Sequence, residues 1–137
     1  MNLKGLKNTL LFIFLSSLLI ELILIIMIRQ SKKVYPDSEM DLLVLVLQIY
    51  SIPFTVILAA TFAPGHKKPQ APKQGTTITI AAIAVSSIWN LLYIWLFANY
   101  LIYTDIDVSD LKSTLTSVSG YSSFLTAGVL SYFFSAK

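Results

Sequence analysis

Glu21 lies inside a run of apolar residues that is long enough to cross a membrane. The run, from Thr9 to Ile28, reads TLLFIFLSSLLIELILIIMI. About 20 helical residues rise about 30 Å, which is the thickness of the hydrocarbon core of a bilayer. Because an ionisable side chain is costly at that depth, it is usually kept away from lipid and used for function. We therefore predict a functional role for Glu21. The alternative is a structural role, in which a protonated Glu21 bonds to Asn90 or Gln48.

Polar side chains in the other apolar segments of the chain fall at a similar depth in the membrane. Together with Glu21 they form a predicted intramembrane polar, pore or proton site, whose other members are Ser17, Gln48, Ser51, Asn90 and Tyr121. Ser17 precedes Glu21 by one helical turn and therefore shares its face. The competing interpretation is structural, since Ser, Asn and Gln commonly hydrogen-bond between membrane helices and hold bundles together.

Small residues recur at every fourth position in the last apolar segment. They are Ser119, Ser123, Ala127 and Ser131. Such a stripe lets helix backbones approach closely, either within one chain or between copies. The same segment carries Ser or Thr around most of its circumference, and such a surface is poorly suited to contact with lipid. We therefore predict a homo-oligomer in which neighbouring helices shelter this segment.

Basic residues are concentrated in a proline-rich loop that reads PGHKKPQAPKQGT. We predict that its side chains contact anionic lipid or a cytoplasmic regulatory ligand, and the residues concerned are His66, Lys67, Lys68 and Lys73. Several copies of this loop around one axis could bind the phosphates of a nucleotide or oligonucleotide. A partner protein is a further possibility for the same loop.

Acidic residues are concentrated in the loop that precedes the last segment. Asp105, Asp107 and Asp110 lack the spacing of an EF-hand calcium loop. We predict that Asp110 or Ser109 caps the helix that follows. In an oligomer, a ring of these acids would attract cations to an outer mouth.

Four membrane-spanning helices must position these residues. Of the 137 residues, 55% are hydrophobic and 12% are charged, which is about half the charged share of a typical soluble domain. This composition predicts an all-α polytopic membrane protein that forms a single four-helix domain over residues 1–137. The predicted spans are about 9–28, 42–63, 77–101 and 111–134, and the third is rich in aromatic residues.

The distribution of basic residues predicts that both termini lie in the cytoplasm. In that orientation six lysines lie inside and four basic residues lie outside, which is a modest positive-inside bias. The inner set is Lys4, Lys7, Lys67, Lys68, Lys73 and Lys137, and the outer set is Arg29, Lys32, Lys33 and Lys112. We expect an integral protein of the bacterial inner (cytoplasmic) membrane.

The residue types present argue against most kinds of enzyme. The chain has no cysteine and one histidine, which excludes disulfides and thiolate metal sites and makes a metal centre within one chain unexpected. The segments between the spans are too short for a soluble catalytic domain, and no pair of nucleophile and base is evident. We therefore expect neither an enzyme nor a bound cofactor.

The layout of four short spans with a carboxylate in the first resembles the small multidrug resistance transporters. In that family the glutamate of the first span binds protons and cationic drugs in a dimer, and the resemblance implies that role for Glu21. Glu21 alone carries the resemblance, because the third and fourth spans differ from the patterns of that family.

Three functional hypotheses follow from these features. The first is an oligomeric channel or pore-type effector that conducts ions or alters membrane permeability, gated at the basic loop. The second is a small proton-coupled transporter that uses Glu21. The third is an interaction or immunity protein that transports nothing. The polar last span, the acidic outer loop and the basic inner loop favour the channel.

Overall fold

The computed structural model is all-α and describes residues 3–32, 36–62, 76–103 and 107–135. Its four helices are α1 (Leu3–Lys32), α2 (Pro36–Phe62), α3 (Thr76–Ile102) and α4 (Val108–Ser135). The prediction of four helices is confirmed. Each helix extends past the start of its predicted apolar span, because the polar residues that flank the span continue the helix.

Three of the four helices are long and apolar enough to cross a membrane. The qualifying segments are Gly5–Ser31, Ser38–Ala60 and Thr79–Ile102, which lie in α1, α2 and α3. These segments indicate a membrane protein. α4 is not among them, although its 28 residues extend about 42 Å at about 1.5 Å per residue. α4 is therefore long enough to cross a membrane. Its high content of Ser and Thr distinguishes it from the other three helices.

The helices form a four-cornered bundle in which each helix packs against two others. α1 and α4 each pack against both α2 and α3, so that α1 lies diagonally opposite α4 and α2 diagonally opposite α3. The amine of Lys7 donates to the carbonyl of Ala60 at one end of the bundle. Arg29 pairs with Glu39 at the other end, at 3.2 Å. These two contacts show that α1 and α2 run in opposite directions.

α4 begins at a cap that differs from the predicted one. The backbone amide of Leu111 donates to the carbonyl of Asp107, and the amide of Val108 donates to the Asp107 carboxylate at 2.6 Å. Asp107 is therefore the residue that caps α4, and the prediction of Asp110 or Ser109 is wrong. The hydroxyl of Ser109 instead donates to the Asp107 carboxylate. The cap lies one turn earlier because the helix extends beyond the apolar segment.

The centre of the bundle is a cluster of aromatic rings from three helices. The ring of Phe14 on α1 contacts the rings of Tyr50 and Phe54 on α2 and of Trp89 on α3. Trp89 also contacts Tyr93, with ring centroids 4.6 Å apart. Aromatic pairs at these separations pack edge to face or tilted and add to the dispersion energy of the core. The cluster surrounds the polar residues described next.

Candidate functional site

Glu21 is fully enclosed by the bundle, with 0% of its surface exposed. It lies on the face of α1 that turns away from the outside of the bundle, together with Phe14, Ser17 and Ile25, all of which are buried. Their spacing of three and four residues places them on one side of the helix. The structure therefore removes Glu21 from any contact with lipid.

Tyr50 of α2 provides the shortest hydrogen bond to Glu21. Its hydroxyl oxygen lies 2.6 Å from Glu21 Oε1 and 2.7 Å from Ser17 Oγ. The same oxygen lies 3.1 Å from Oδ1 of Asn90 on α3. Ser17 also approaches Glu21 Oε1, at 3.4 Å. One phenol group thus connects three helices at the level of the buried carboxyl group.

The orientation of the Asn90 side chain is fixed by its own helix. Its amide nitrogen donates to the backbone carbonyl of Ser86, one turn earlier, at 2.6 Å. A carbonyl only accepts hydrogen bonds, so the amide nitrogen must face Ser86 and the amide oxygen must face Tyr50. In the contact between Asn90 and Tyr50, the asparagine therefore presents its Oδ1 atom, which can only accept a hydrogen bond.

Three buried polar atoms near this cluster have no hydrogen-bond partner among the residues that the structure describes. They are Glu21 Oε2, Ser86 Oγ and Trp89 Nε1. Buried polar atoms without partners are uncommon in folded proteins, and each one costs free energy. Glu21 therefore keeps one carboxyl oxygen available for a proton or another donor. Its surroundings are aromatic rings and neutral hydroxyl and amide groups.

Three other predicted members of the polar site lie on the outside of the bundle. Gln48 and Ser51 are exposed on α2, and the hydroxyl of Ser51 donates to the backbone carbonyl of Gln48 at 2.6 Å. Tyr121 of α4 is 81% exposed. The structure thus brings Ser17, Glu21 and Asn90 together and leaves Gln48, Ser51 and Tyr121 at the surface.

An open groove of about 400 Å³ runs between α2 and α4 on the same side of the bundle as Gln48. Its walls combine polar, small and apolar side chains: Leu45, Gln48, Ile49, Ile52, Thr116, Ser119, Gly120, Ser123, Phe124 and Ala127. Three residues of the predicted small stripe, Ser119, Ser123 and Ala127, therefore line this groove. The fourth, Ser131, is exposed on α4.

The exposed surfaces on the two sides of the bundle differ in polarity. On α1 every exposed residue from Phe12 to Met27 is apolar, and on α3 the same is true from Ile80 to Ile102. We call these surfaces together the α1–α3 face. On the opposite side, the α2–α4 face exposes polar and small residues at the same depth, interspersed with large apolar ones. The polar and small residues are Gln48, Ser51, Thr55, Ser113, Thr114, Thr116, Ser117, Gly120, Gly128 and Ser131, and the apolar ones include Leu47, Ile52, Phe124 and Leu125.

The predicted ligand loop is not part of the structural description. His66, Lys67, Lys68 and Lys73 lie outside the described residues. Among the residues that are described, no three His, Cys, Asp or Glu side chains group together as metal ligands would.

Sequence reasoning missed the hydroxyl group of Tyr50, and it placed Tyr93 on the face of Ser86 and Asn90 without a partner for its hydroxyl group. Tyr50 joins the Glu21 cluster, and the Tyr93 hydroxyl lies 2.7 Å from Ser122 Oγ between α3 and α4. Both tyrosines are near the middle of apolar helices, where a hydroxyl group requires a partner. Their depth, equal to that of Glu21 and Asn90, was the signal that could have identified them.

Comparison with known proteins gives no relative for this chain: no family model matches it, and neither does any curated protein or solved structure.

Proposed function

We propose that the protein is an oligomeric membrane channel whose conduction path is lined by the α2–α4 face. One observation carries the proposal: the α2–α4 face exposes polar and small residues among its apolar ones at membrane depth, whereas every exposed residue of the α1–α3 face is apolar from Phe12 to Met27 and from Ile80 to Ile102. An apolar face is suited to lipid. A polar face at the same depth requires another protein surface or water.

The free energy of exposing polar groups to lipid supports this arrangement. Hydroxyl and amide groups without partners cost several kcal/mol each in hydrocarbon. Thr116 and Ser119 reduce that cost by donating to carbonyls of their own helix. The exposed Gln48 amide is larger and carries two donor hydrogens and an acceptor oxygen. A ring of subunits with the α2–α4 face turned inward would hydrate these groups and keep the α1–α3 face in lipid.

The proposed channel has four spans per subunit, including α4, and both termini in the cytoplasm of a bacterium. At the outer end, Lys112 of α4 pairs with Asp41 of α2, and Asp107 and Asp110 are exposed nearby in the chain. Acidic side chains at a mouth favour cations over anions. The gate in this proposal is the basic loop with His66, which would bind an anionic ligand or a partner.

Site-directed labelling in liposomes tests the proposal, because the chain has no native cysteine. Gly120→Cys introduces one thiol on the α2–α4 face, where an added Cβ meets nothing within 4 Å. Leu19→Cys is the matched control on the α1–α3 face, at the middle of α1 and 60% exposed. We expect a charged, water-soluble thiol reagent to block ion flux through the Gly120→Cys protein and to leave the Leu19→Cys protein conducting.

Two results would contradict the channel. Equal sensitivity of the two cysteine variants would mean that the α2–α4 face does not line the path. Absence of flux in the wild type, with a folded protein and with candidate ligands supplied, would favour the interaction or immunity protein.

A proton-coupled transporter is the second candidate, and the enclosed Glu21 favours it. A carboxyl group with one unpaired oxygen inside an apolar bundle is suited to exchange a proton for a substrate. This candidate predicts saturable uptake that is driven by a pH gradient and is abolished by Glu21→Gln. Voltage-driven flux that survives Glu21→Gln would instead favour the channel.

A further inference from the structure

Tyr50 makes a hydrogen-bonding contact across a diagonal of the bundle. α2 and α3 do not pack side by side in the described part of the chain, yet the Tyr50 ring on α2 contacts the Trp89 ring on α3, and the Tyr50 hydroxyl reaches the Asn90 amide on α3. The same hydroxyl also contacts Glu21 on α1. The state of this one group therefore affects how α2 is held to two other helices.

The number of hydrogens available decides which of these contacts can exist together. A phenol group carries one hydrogen and can donate one hydrogen bond. Asn90 Oδ1 only accepts, so a hydrogen bond between Tyr50 and Asn90, whose atoms lie 3.1 Å apart, requires that hydrogen. Glu21 Oε1, at 2.6 Å from the same phenol oxygen, must then supply a hydrogen of its own. Only a protonated Glu21 can do so, whereas Ser17 can donate its hydroxyl hydrogen in either case.

Loss of the proton from Glu21 changes this pattern. An ionised carboxylate accepts only, so Glu21 Oε1 and Asn90 Oδ1 then compete for the single hydrogen of Tyr50. A hydrogen bond to a charged acceptor is roughly twice as strong as one between neutral groups. The Tyr50 hydrogen therefore turns to Glu21, and Asn90 is left facing an oxygen without a hydrogen between them.

We propose that Glu21, Tyr50 and Asn90 form a proton-operated switch between helices. With the proton bound at Glu21, Tyr50 joins α2 to α3 through Asn90. With the proton released to the medium, Tyr50 joins α2 to α1 through Glu21, and the hydrogen bond between Tyr50 and Asn90 is lost while the ring contact between Tyr50 and Trp89 remains. Tyr50 keeps its own hydrogen in both states and only changes the direction in which it donates. The switch involves α1 to α3 and does not depend on whether the α2–α4 face conducts ions.

Among the described residues, we identify no other charged group near Glu21 that could replace it as the proton-binding group of the switch. The titratable groups that face Glu21 from neighbouring helices are Tyr50 on α2 and Tyr93 on α3. α3 contains no charged residue, and α4 does not pack against α1. On α1 itself, Arg29 is two turns away and pairs with Glu39 at the end of the bundle.

A double-mutant cycle at two pH values tests the switch in the full-length protein. The variants are Tyr50→Phe, Asn90→Leu and both together, and the readout is the thermal unfolding midpoint. Infrared spectroscopy first locates the pH at which Glu21 loses its proton, from the carboxyl band that is absent in Glu21→Gln. The cycle is then measured at one pH below that value and one above it. We expect the two substitutions to be non-additive by about 2–4 °C at the lower pH, as one hydrogen bond between membrane helices predicts, and additive at the higher pH.

Two controls separate a proton-operated switch from a structural hydrogen bond. In the Glu21→Gln background the Gln amide donates to Tyr50 at every pH, so the coupling should persist at both values. The cycle of Tyr93→Phe with Ser122→Ala concerns another tyrosine of the core, whose hydroxyl pairs with a neutral hydroxyl, and its coupling should not change with pH. Coupling between Tyr50 and Asn90 that is equal at the two pH values, or that also changes in the Glu21→Gln background, overturns the proposal.

A measurement on the wild type keeps the test independent of whether the variants fold. Loss of the Tyr50 hydrogen bond should shift the side-chain carbonyl band of Asn90 together with the Glu21 carboxyl band. Isotope-labelled asparagine marks all four asparagines of the chain, and we expect one of the four bands to move with the Glu21 band. Titration of the Glu21 band without a change in any asparagine band overturns the proposal. Absence of any titratable carboxyl band between about pH 4 and pH 10, a range that extends to both sides of the usual stability maximum, also overturns it.

Discussion

Replacing Phe14 by alanine should weaken the bundle far more than the same change at Phe12. Phe14 has 0% of its surface exposed and packs against the rings of Tyr50, Phe54 and Trp89, whereas Phe12 is 71% exposed on the α1–α3 face. Both residues are phenylalanines of α1 that lie two positions apart, so their side chains point to opposite sides of the helix. The comparison therefore isolates packing inside the bundle from contact with lipid.

The loss expected for Phe14→Ala is about 3–5 kcal/mol. Removing the ring leaves a cavity on the order of 100 Å³, which at about 24 cal/mol per Å³ costs about 2.4 kcal/mol. Lost ring contacts add roughly 0.5–1.5 kcal/mol for each well-placed pair. The transfer free energy that increases such losses in soluble proteins is small here, because lipid is as apolar as the core. Phe12→Ala should change the free energy of unfolding by less than about 0.5 kcal/mol.

Equilibrium unfolding of the purified protein in mixed micelles, followed by circular dichroism, measures both variants. Equal losses for Phe12→Ala and Phe14→Ala would refute the assignment of the two sides of α1. A loss below about 1 kcal/mol for Phe14→Ala would show that the aromatic cluster does not hold the bundle together, since the cavity term alone exceeds that value.

Three further predictions concern α4 and its ends. Asp107→Ala should lower the free energy of unfolding by about 1 kcal/mol through loss of the helix cap, whereas Asp110→Ala should have a clearly smaller effect in the same unfolding assay. Gly128→Ala should cause no loss of stability, because the added Cβ meets nothing within 4 Å and alanine favours helix by about 1 kcal/mol; a destabilised variant would indicate a neighbour at that position. Asp41→Asn removes a partly exposed ion pair with Lys112 and should cost at most about 1 kcal/mol, an effect that should disappear when unfolding is measured at high salt.

The sequence alone predicted the number, order and approximate limits of the helices. Runs of about 20 apolar residues, interrupted by charged or Pro-rich segments, leave little choice but helices that satisfy their own backbone hydrogen bonds. The prediction failed in detail at the start of α4, where Asp107 rather than Asp110 or Ser109 provides the cap. An apolar pattern marks the part of a helix that is hidden from water, and the helix itself extends further.

The sequence also indicated that Glu21, Ser17 and Asn90 belong near one another, since a carboxyl group at that depth requires polar neighbours. It assigned Gln48 to the same set on depth alone, whereas the structure has Tyr50 in that place. The two residues are two positions apart, which is about 200° around a helix. With Tyr50 inside the bundle, Gln48 must therefore point outward.

Distance along a helix fixes depth in a membrane, and this much can be read from residue numbers. Rotation about the helix axis decides which of several polar residues at one depth meet, and it depends on how all four helices pack together. The contacts of Tyr50 with Glu21, Ser17 and Asn90, and the exposure of Tyr121, follow from that packing. The tertiary structure alone decided them, because no single helix contains the information about the faces of its neighbours.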